Sequence, residues 1–177
     1  MTMKKRLISI WLAAALPFMG GALTPPPQTA ATRAAALLAT VEGFRATPYL
    51  DAGGRRTIGY GFTSPAMLAR GRITQAAAQA ELTHLCNALD KRIKADFGEM
   101  ALTANERAAV ISFAYNIGYG RFKSTTLYRL LKCGVRGKRI AAEIQKWRYV
   151  RKGGKQVACK GLQRRRALEA ALFTRRS

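Results

Sequence analysis

Apolar residues recur three and four positions apart between Thr74 and Phe97, at Ala78, Leu82, Leu85, Cys86, Leu89, Ile93 and Phe97. That period predicts one long amphipathic helix. At about 1.5 Å per residue it runs on the order of 35 Å, enough to join two lobes and form the spine of a cleft. Upstream, Leu37, Leu38 and Val41 stripe an Ala-rich helix that Thr32 is expected to cap. Glu42 ends that helix and Gly43 stops it, which holds a carboxylate on a rigid element next to an opening. Downstream, Thr103-Ala-Asn-Glu106 is a capping box opening a helix whose residues Ala108 to Ile117 are apolar on most faces. Such a helix is expected to be buried, with Gly118 as its end. Ser124 is read as the cap of a short helix through Leu131, Ile140, Ala141, Ile144 and Trp147 stripe another, and Leu168, Ala171 and Leu172 stripe the last.

The period falls to two between Pro48 and Phe62, where Thr57, Ile58, Tyr60 and Phe62 are strand formers and Ala52-Gly53-Gly54 is a turn. This predicts a β-hairpin with Asp51 at the mouth of its turn. Gly59 and Gly61 remove side chains on the face that Thr57 shares, which marks either a bulge or the close approach of a ligand or backbone. No repeat of fixed period is present. The expected fold class is α+β: a small hairpin lobe over about 42–73, a linking helix over about 74–97, and a larger all-helical lobe over about 98–175.

Residues 1–31 read as a separate N-terminal segment, and 32–177 as the folded domain. Residues 4–23 combine a basic start with a run from Leu7 to Leu23 that carries no charge, the pattern of an export signal. The run is broken by Pro17 and Gly20-Gly21 and falls short of the roughly 20 residues of a firm membrane span. Both a cleaved signal peptide, cut after Ala22 or near Ala30 or Ala31, and a retained, lightly held anchor fit it. Pro25-Pro26-Pro27 then reads as a linker.

Charge adds a partner class. The chain of 177 residues carries 31 Lys and Arg against nine Asp and Glu, a formal +22, so a polyanion is an expected neighbour. Residues 121–177 hold eighteen of those cations, opposed only by Glu143 and Glu169. No nucleic-acid recognition motif accompanies them, and an export signal leads away from nucleic acid. Cys86, Cys133 and Cys159 make no metal-ligand spacing with His84, so no metal is expected. One cysteine pair oxidised after export, or three half-buried apolar residues, are both open readings.

Glu42, Asp51 and Thr57 stand at the spacing Glu-x8-Asp-x5-Thr on one short bent segment. Two carboxylates and a water-holding hydroxyl are what glycosidic cleavage uses, since one acid protonates the leaving oxygen while the other group serves the anomeric carbon. A given Glu meets that spacing by chance about once in four hundred, so the surrounding motifs have to carry the assignment.

They do so as a resemblance. The spacing of Glu42, Asp51 and Thr57, the strand TIGYGFT, the run AYNIGYGRFKSTTL and the terminal GLQRRRALEAALF resemble the phage T4-type lysozymes, the endolysin muramidases of glycoside hydrolase family 24, over about residues 36–173. The resemblance implies a lysozyme-like fold with its cleft between the lobes. It also implies cofactor-free hydrolysis of the β-1,4 bond between N-acetylmuramic acid and N-acetylglucosamine in peptidoglycan, by a monomer that causes host lysis. Glu42 is then the general acid, and Asp51 and Thr57 hold the attacking water. Arg165 falls where the family places an arginine near the acid, although Arg164 or Arg166 fits that role too. Tyr115 and Asn116 fall at cleft-wall positions, with Thr126 and Thr63 as further sugar contacts. Relatives exported by a releasable signal-anchor imply transient inner-membrane association through residues 4–23, and a periplasmic or membrane-bound location. The segment Val157-Ala-Cys159-Lys-Gly161 departs from the family, where a proline commonly precedes the Gly-Leu pair.

Two other functions remain open on sequence. A lytic transglycosylase cuts the same bond with one Glu but needs neither Asp51 nor Thr57 to hold water. A basic wall- or membrane-binding protein would use the charge without catalysis.

Overall fold

The computed structural model describes residues 28–51, 54–98 and 101–176. The expected export segment and Pro run lie outside the described residues. Helix α1 (Ala30–Glu42) opens on Thr29, whose side chain accepts from the Thr32 amide, so the cap lies three residues before the expected Thr32. Ala30 and Ala31 are therefore part of the packed helix and are fully buried. The buried face is Ala30, Ala31, Ala34, Ala35 and Leu38, a stripe of small side chains that lets α1 lie close against the central helix. Processing at Ala30 or Ala31 would remove this first turn.

The small lobe follows. Strands β1 (Arg45–Leu50) and β2 (Arg56–Gly59) pair antiparallel with Tyr49 opposite Thr57 and Leu50 opposite Arg56. The β2 end closes on itself through reciprocal Ile58 and Phe62 backbone bonds of 2.9 Å. Gly59 is held there at φ +66°, and a Cβ on it would come within 2.7 Å of two Phe62 ring carbons. Gly59→Ala is expected to lower unfolding free energy by about 2 kcal/mol, from left-handed strain plus the clash; a urea midpoint measures it. Thus Gly59 serves packing, and only Gly61 serves the opening.

Short α2 (Pro65–Ala69) leads to α3 (Gln75–Phe97), the predicted spine, capped by Thr74 and burying Ala78, Leu82, Cys86 and Ile93. Helix α4 (Ala104–Ile117) opens on Thr103 with both bonds of the predicted capping box, ends at Gly118, and is buried from Ala108 to Ala114. It is the axis of the larger lobe, packed by α1, α3 and α8. Around it run α5 (Tyr119–Lys123), α6 (Thr126–Lys132) and α7 (Lys138–Gln145). Thr125, not Ser124, caps α6; Ser124 instead closes α5.

Two features of this lobe differ from the reading of the sequence. It is not all-helical: β3 (Tyr149–Lys152) and β4 (Lys155–Ala158) form a second antiparallel hairpin around Gly153-Gly154, both in left-handed φ. In α8 (Lys160–Thr174) the buried face is Arg165, Arg166, Glu169, Ala170 and Phe173, while Leu168 and Leu172 are only half-buried and Ala171 is exposed. Charges satisfied by one another replaced the apolar stripe that periodicity selected.

The three cysteines are free thiols: Cys86 buried, Cys133 exposed, Cys159 between. Burial pushes the Cys86 thiol up to about 12, so it is protonated and shielded at pH 8. Iodoacetamide at that pH is expected to label Cys133 in the native protein and Cys86 only after denaturation, as peptide mass mapping would show.

Candidate active site

A cleft of about 550 Å³ opens between the lobes. Its hairpin wall is Tyr49, Asp51, Arg55, Thr57, Gly61 and Thr63, and its helical wall is Glu42 from α1, Glu81 and Leu85 from α3, and Tyr115 and Asn116 from α4. Six sequence-selected residues therefore meet in one place: Glu42, Asp51, Thr57, Thr63, Tyr115 and Asn116.

The turn fixes Asp51. Its Oδ1 accepts from the Arg55 amide at 2.9 Å, its own amide donates to the Arg55 carbonyl at 3.0 Å, and its carbonyl accepts from Gly54 at 2.9 Å. Thr57 is buried, and its hydroxyl donates to the Arg55 carbonyl at 2.9 Å. With the only hydroxyl proton so placed, the Thr57 oxygen presents acceptor lone pairs.

Glu42 is a quarter exposed at the end of α1 and is ion-paired with Arg165 Nη1. Gly61, at φ +93°, brings the hairpin backbone against it; a Cβ there would lie 3.7 Å from Glu42 Oε2 and 3.9 Å from the Tyr115 hydroxyl. Tyr115 donates to the Tyr60 carbonyl at 3.1 Å. Burial, then the Glu42 charge, push its phenol above the ordinary value, so it stays a donor.

Arg165 does not line the cleft but stands behind Glu42, with its side chain only 5% exposed. Its Nη2 donates to the Ser112 carbonyl at 3.0 Å and its Nε to Glu169 Oε1 at 3.0 Å. Arg166 is also buried, with its guanidinium carbon 4.6 Å from the Phe113 ring centroid. Of the three arginines that the sequence left open, Arg165 is the one on Glu42.

Thr126 lies apart from the cleft-lining residues. It is the exposed first residue of α6, which packs on α5 and α7, and its hydroxyl accepts from Arg129 Nη2 at 3.2 Å. The sequence reading passed over Glu81 and Glu169. Glu81 and Leu85, four apart on α3, share the face turned to the cleft, a signal present in the helical period. Glu169 lies three and four residues from the arginines it meets, again a helical-face spacing.

A small hairpin lobe and a helical lobe enclosing a carboxylate-lined cleft define a lysozyme-type glycoside hydrolase. The chain belongs to the phage lysozyme family, whose model matches residues 39–169. It is 34% identical over 134 residues to a SAR-endolysin of Bacteriophage PS119, covering 73% of this chain and 74% of that one. It is 33% identical to an endolysin of Acyrthosiphon pisum secondary endosymbiont phage 1 (77% and 92% covered). Among solved structures it is similar to the muramidase domain of SpmX from Asticaccaulis excentricus, at TM-score 0.71 and 29% identity over 81% of this chain and 95% of that one. It is also similar to the endolysin of Escherichia coli O157:H7 phage FAHEc1, at TM-score 0.63 and 29% identity (80% and 90% covered).

Proposed function

We propose that this enzyme is an endolysin muramidase that hydrolyses the β-1,4 bond from N-acetylmuramic acid to N-acetylglucosamine in peptidoglycan. The observation that carries this reading is that Glu42 on α1 and the Asp51 and Thr57 pair on the hairpin face one cleft from different elements. Glu42 gives its proton to the leaving glycosidic oxygen as the bond to the muramic C1 breaks. Asp51 orients a water on the opposite face and takes its proton as the water oxygen bonds to C1. Thr57, already donating to Arg55, accepts the second water hydrogen. As the proton leaves Glu42, the adjacent Arg165 stabilises the carboxylate that forms. Inversion follows from a water between the carboxyl groups, an arrangement that needs a gap of about 6.5–9.5 Å. Tyr115, Asn116 and Thr63 flank the bound glycan.

The SAR-endolysin names of relatives support a signal-anchor reading of residues 4–23, with export to the periplasmic face of the inner membrane. No helix among the described residues is long and apolar enough to cross a membrane. The basic C-terminal region faces anionic wall or membrane polymer, and a monomer suffices for the chemistry.

Mass spectrometry of fragments released from purified peptidoglycan tests the reaction. Reducing muramic ends are expected. Anhydro-muramic ends would assign a lytic transglycosylase instead, and no release would leave only a basic binding protein.

A further inference from the structure

Glu169 is fully buried, and none of the roles given to the cleft residues uses it. Its two oxygens nevertheless face two different functional side chains. Oε1 accepts from Ser112 Oγ at 2.7 Å and from Arg165 Nε at 3.0 Å, and Arg165 continues to Glu42. Oε2 accepts from Arg166 Nη1 at 2.5 Å, and Arg166 continues to the Asn116 side chain and, through Nε, to the Trp147 carbonyl at 3.0 Å. One carboxylate thus anchors two arms.

The second arm has a chemical consequence. A guanidinium only donates, so the atom of Asn116 that meets Arg166 has to be its amide oxygen. Asn116 is otherwise exposed, and it lines both the cleft and an adjoining cavity of about 530 Å³. With Oδ1 held by Arg166, the Nδ2 hydrogens are the ones left for a ligand. The side chain is fixed as a hydrogen-bond donor instead of rotating between donor and acceptor poses.

Charge ties the arms together. Glu42 and Glu169 balance Arg165 and Arg166 within a largely dry region. Without Glu169, two buried guanidiniums face one carboxylate, repel each other, and lose the oxygen that sets the fork of each. Arg165 is then free to follow Glu42, and Arg166 is free to leave Asn116.

We propose that Glu169 is a positioning residue for both ends of the site. It holds Arg165 in place behind the acid, and through Arg166 it sets the Asn116 amide to donate to a carbonyl or hydroxyl oxygen of the glycan. The inference rests on the muramidase reading above and extends it to residues that touch no substrate.

The test is steady-state kinetics of the full chain on soluble peptidoglycan fragments at 20 °C, with folded fraction checked by circular dichroism. Glu169→Gln keeps the shape but loses the charge, and kcat is expected to fall about 10²-fold, the penalty of a misplaced acid. KM is expected to rise about 5- to 10-fold, the worth of one neutral hydrogen bond. Glu169→Asp keeps the charge and should restore part of kcat. Arg166→Lys keeps its charge but loses the fork, so KM should rise with kcat held within about twofold. Adding Arg166→Lys to Asn116→Ala should raise KM no further than Asn116→Ala alone, because both remove the same contact. A Glu169→Gln enzyme with wild-type kcat and KM in its folded fraction would overturn the proposal, since a purely structural Glu169 lowers only stability. So would additive KM effects in the Arg166 and Asn116 cycle, which tests the Asn116 arm even where Glu169→Gln does not fold. Failure of the muramidase reading itself looks different: the wild type then releases no reducing muramic ends.

Discussion

Glu42→Gln is expected to lower the rate of peptidoglycan hydrolysis by about 10³-fold while the protein stays folded, because general acid catalysis contributes between about 10² and 10⁴ and the amide has no proton to give. The fold survives because Glu42 is not what holds the lobes. It is a quarter exposed at a helix end, and Arg165 keeps Glu169 and the Ser112 carbonyl when the carboxylate is gone. Denaturation should therefore show a loss of only about 1 kcal/mol, the scale of one part-exposed pair. Release of reducing ends, counted per folded molecule, measures the first quantity. Killing of cells by Glu42→Gln at the wild-type level would move the protein to the class that acts by its formal +22 charge alone.

Local rules made much of this chain legible. Thr103 caps α4 where the spacing put it and Gly118 ends that helix, because caps depend on a few adjacent residues and little else. The bend that joins Glu42, Asp51 and Thr57 was readable for the same reason: a helix stop, a glycine turn and a strand follow one another within sixteen residues. What escaped depended on packing. The α1 start moved to Thr29 because alanines, neutral in a hydrophobicity pattern, are the side chains that allow close contact with α4. The second hairpin carried its own signal in Gly153-Gly154, but its strands are short and basic and their described side chains are exposed, so no apolar alternation announces them. Thr126 was selected by likeness and lies outside the cleft because it opens α6, which packs on α5 and α7. The largest miss was α8. Periodicity ranks Leu168, Ala171 and Leu172 as core and Arg165, Arg166 and Glu169 as surface, and the fold reverses that order because the three charges satisfy one another.

That reversal sets the second large effect. Arg165→Met is expected to destabilise the protein by about 3–4 kcal/mol, since removing one partner of a buried ion pair leaves the other charge uncompensated. Methionine fills much of the volume, so the loss is electrostatic rather than a cavity. The groups that lose a donor are Glu169 Oε1, left with Ser112 Oγ alone, the Ser112 carbonyl inside α4, and Glu42, which loses its cation. Arg166 still pairs with Oε2 and prevents a larger penalty. Arg165→Lys, which keeps the charge but cannot donate to Glu42, Glu169 and Ser112 together, should lose about half as much. Chemical denaturation of the pair separates charge from fork geometry. Equal destabilisation by Met and Lys would mean that the three-way hydrogen bonding, not the charge, holds α8 against α1 and α4. A loss below about 1 kcal/mol for Met, the range of exposed pairs, would mean that water reaches this cluster and that the acid in the cleft is positioned by something other than Arg165.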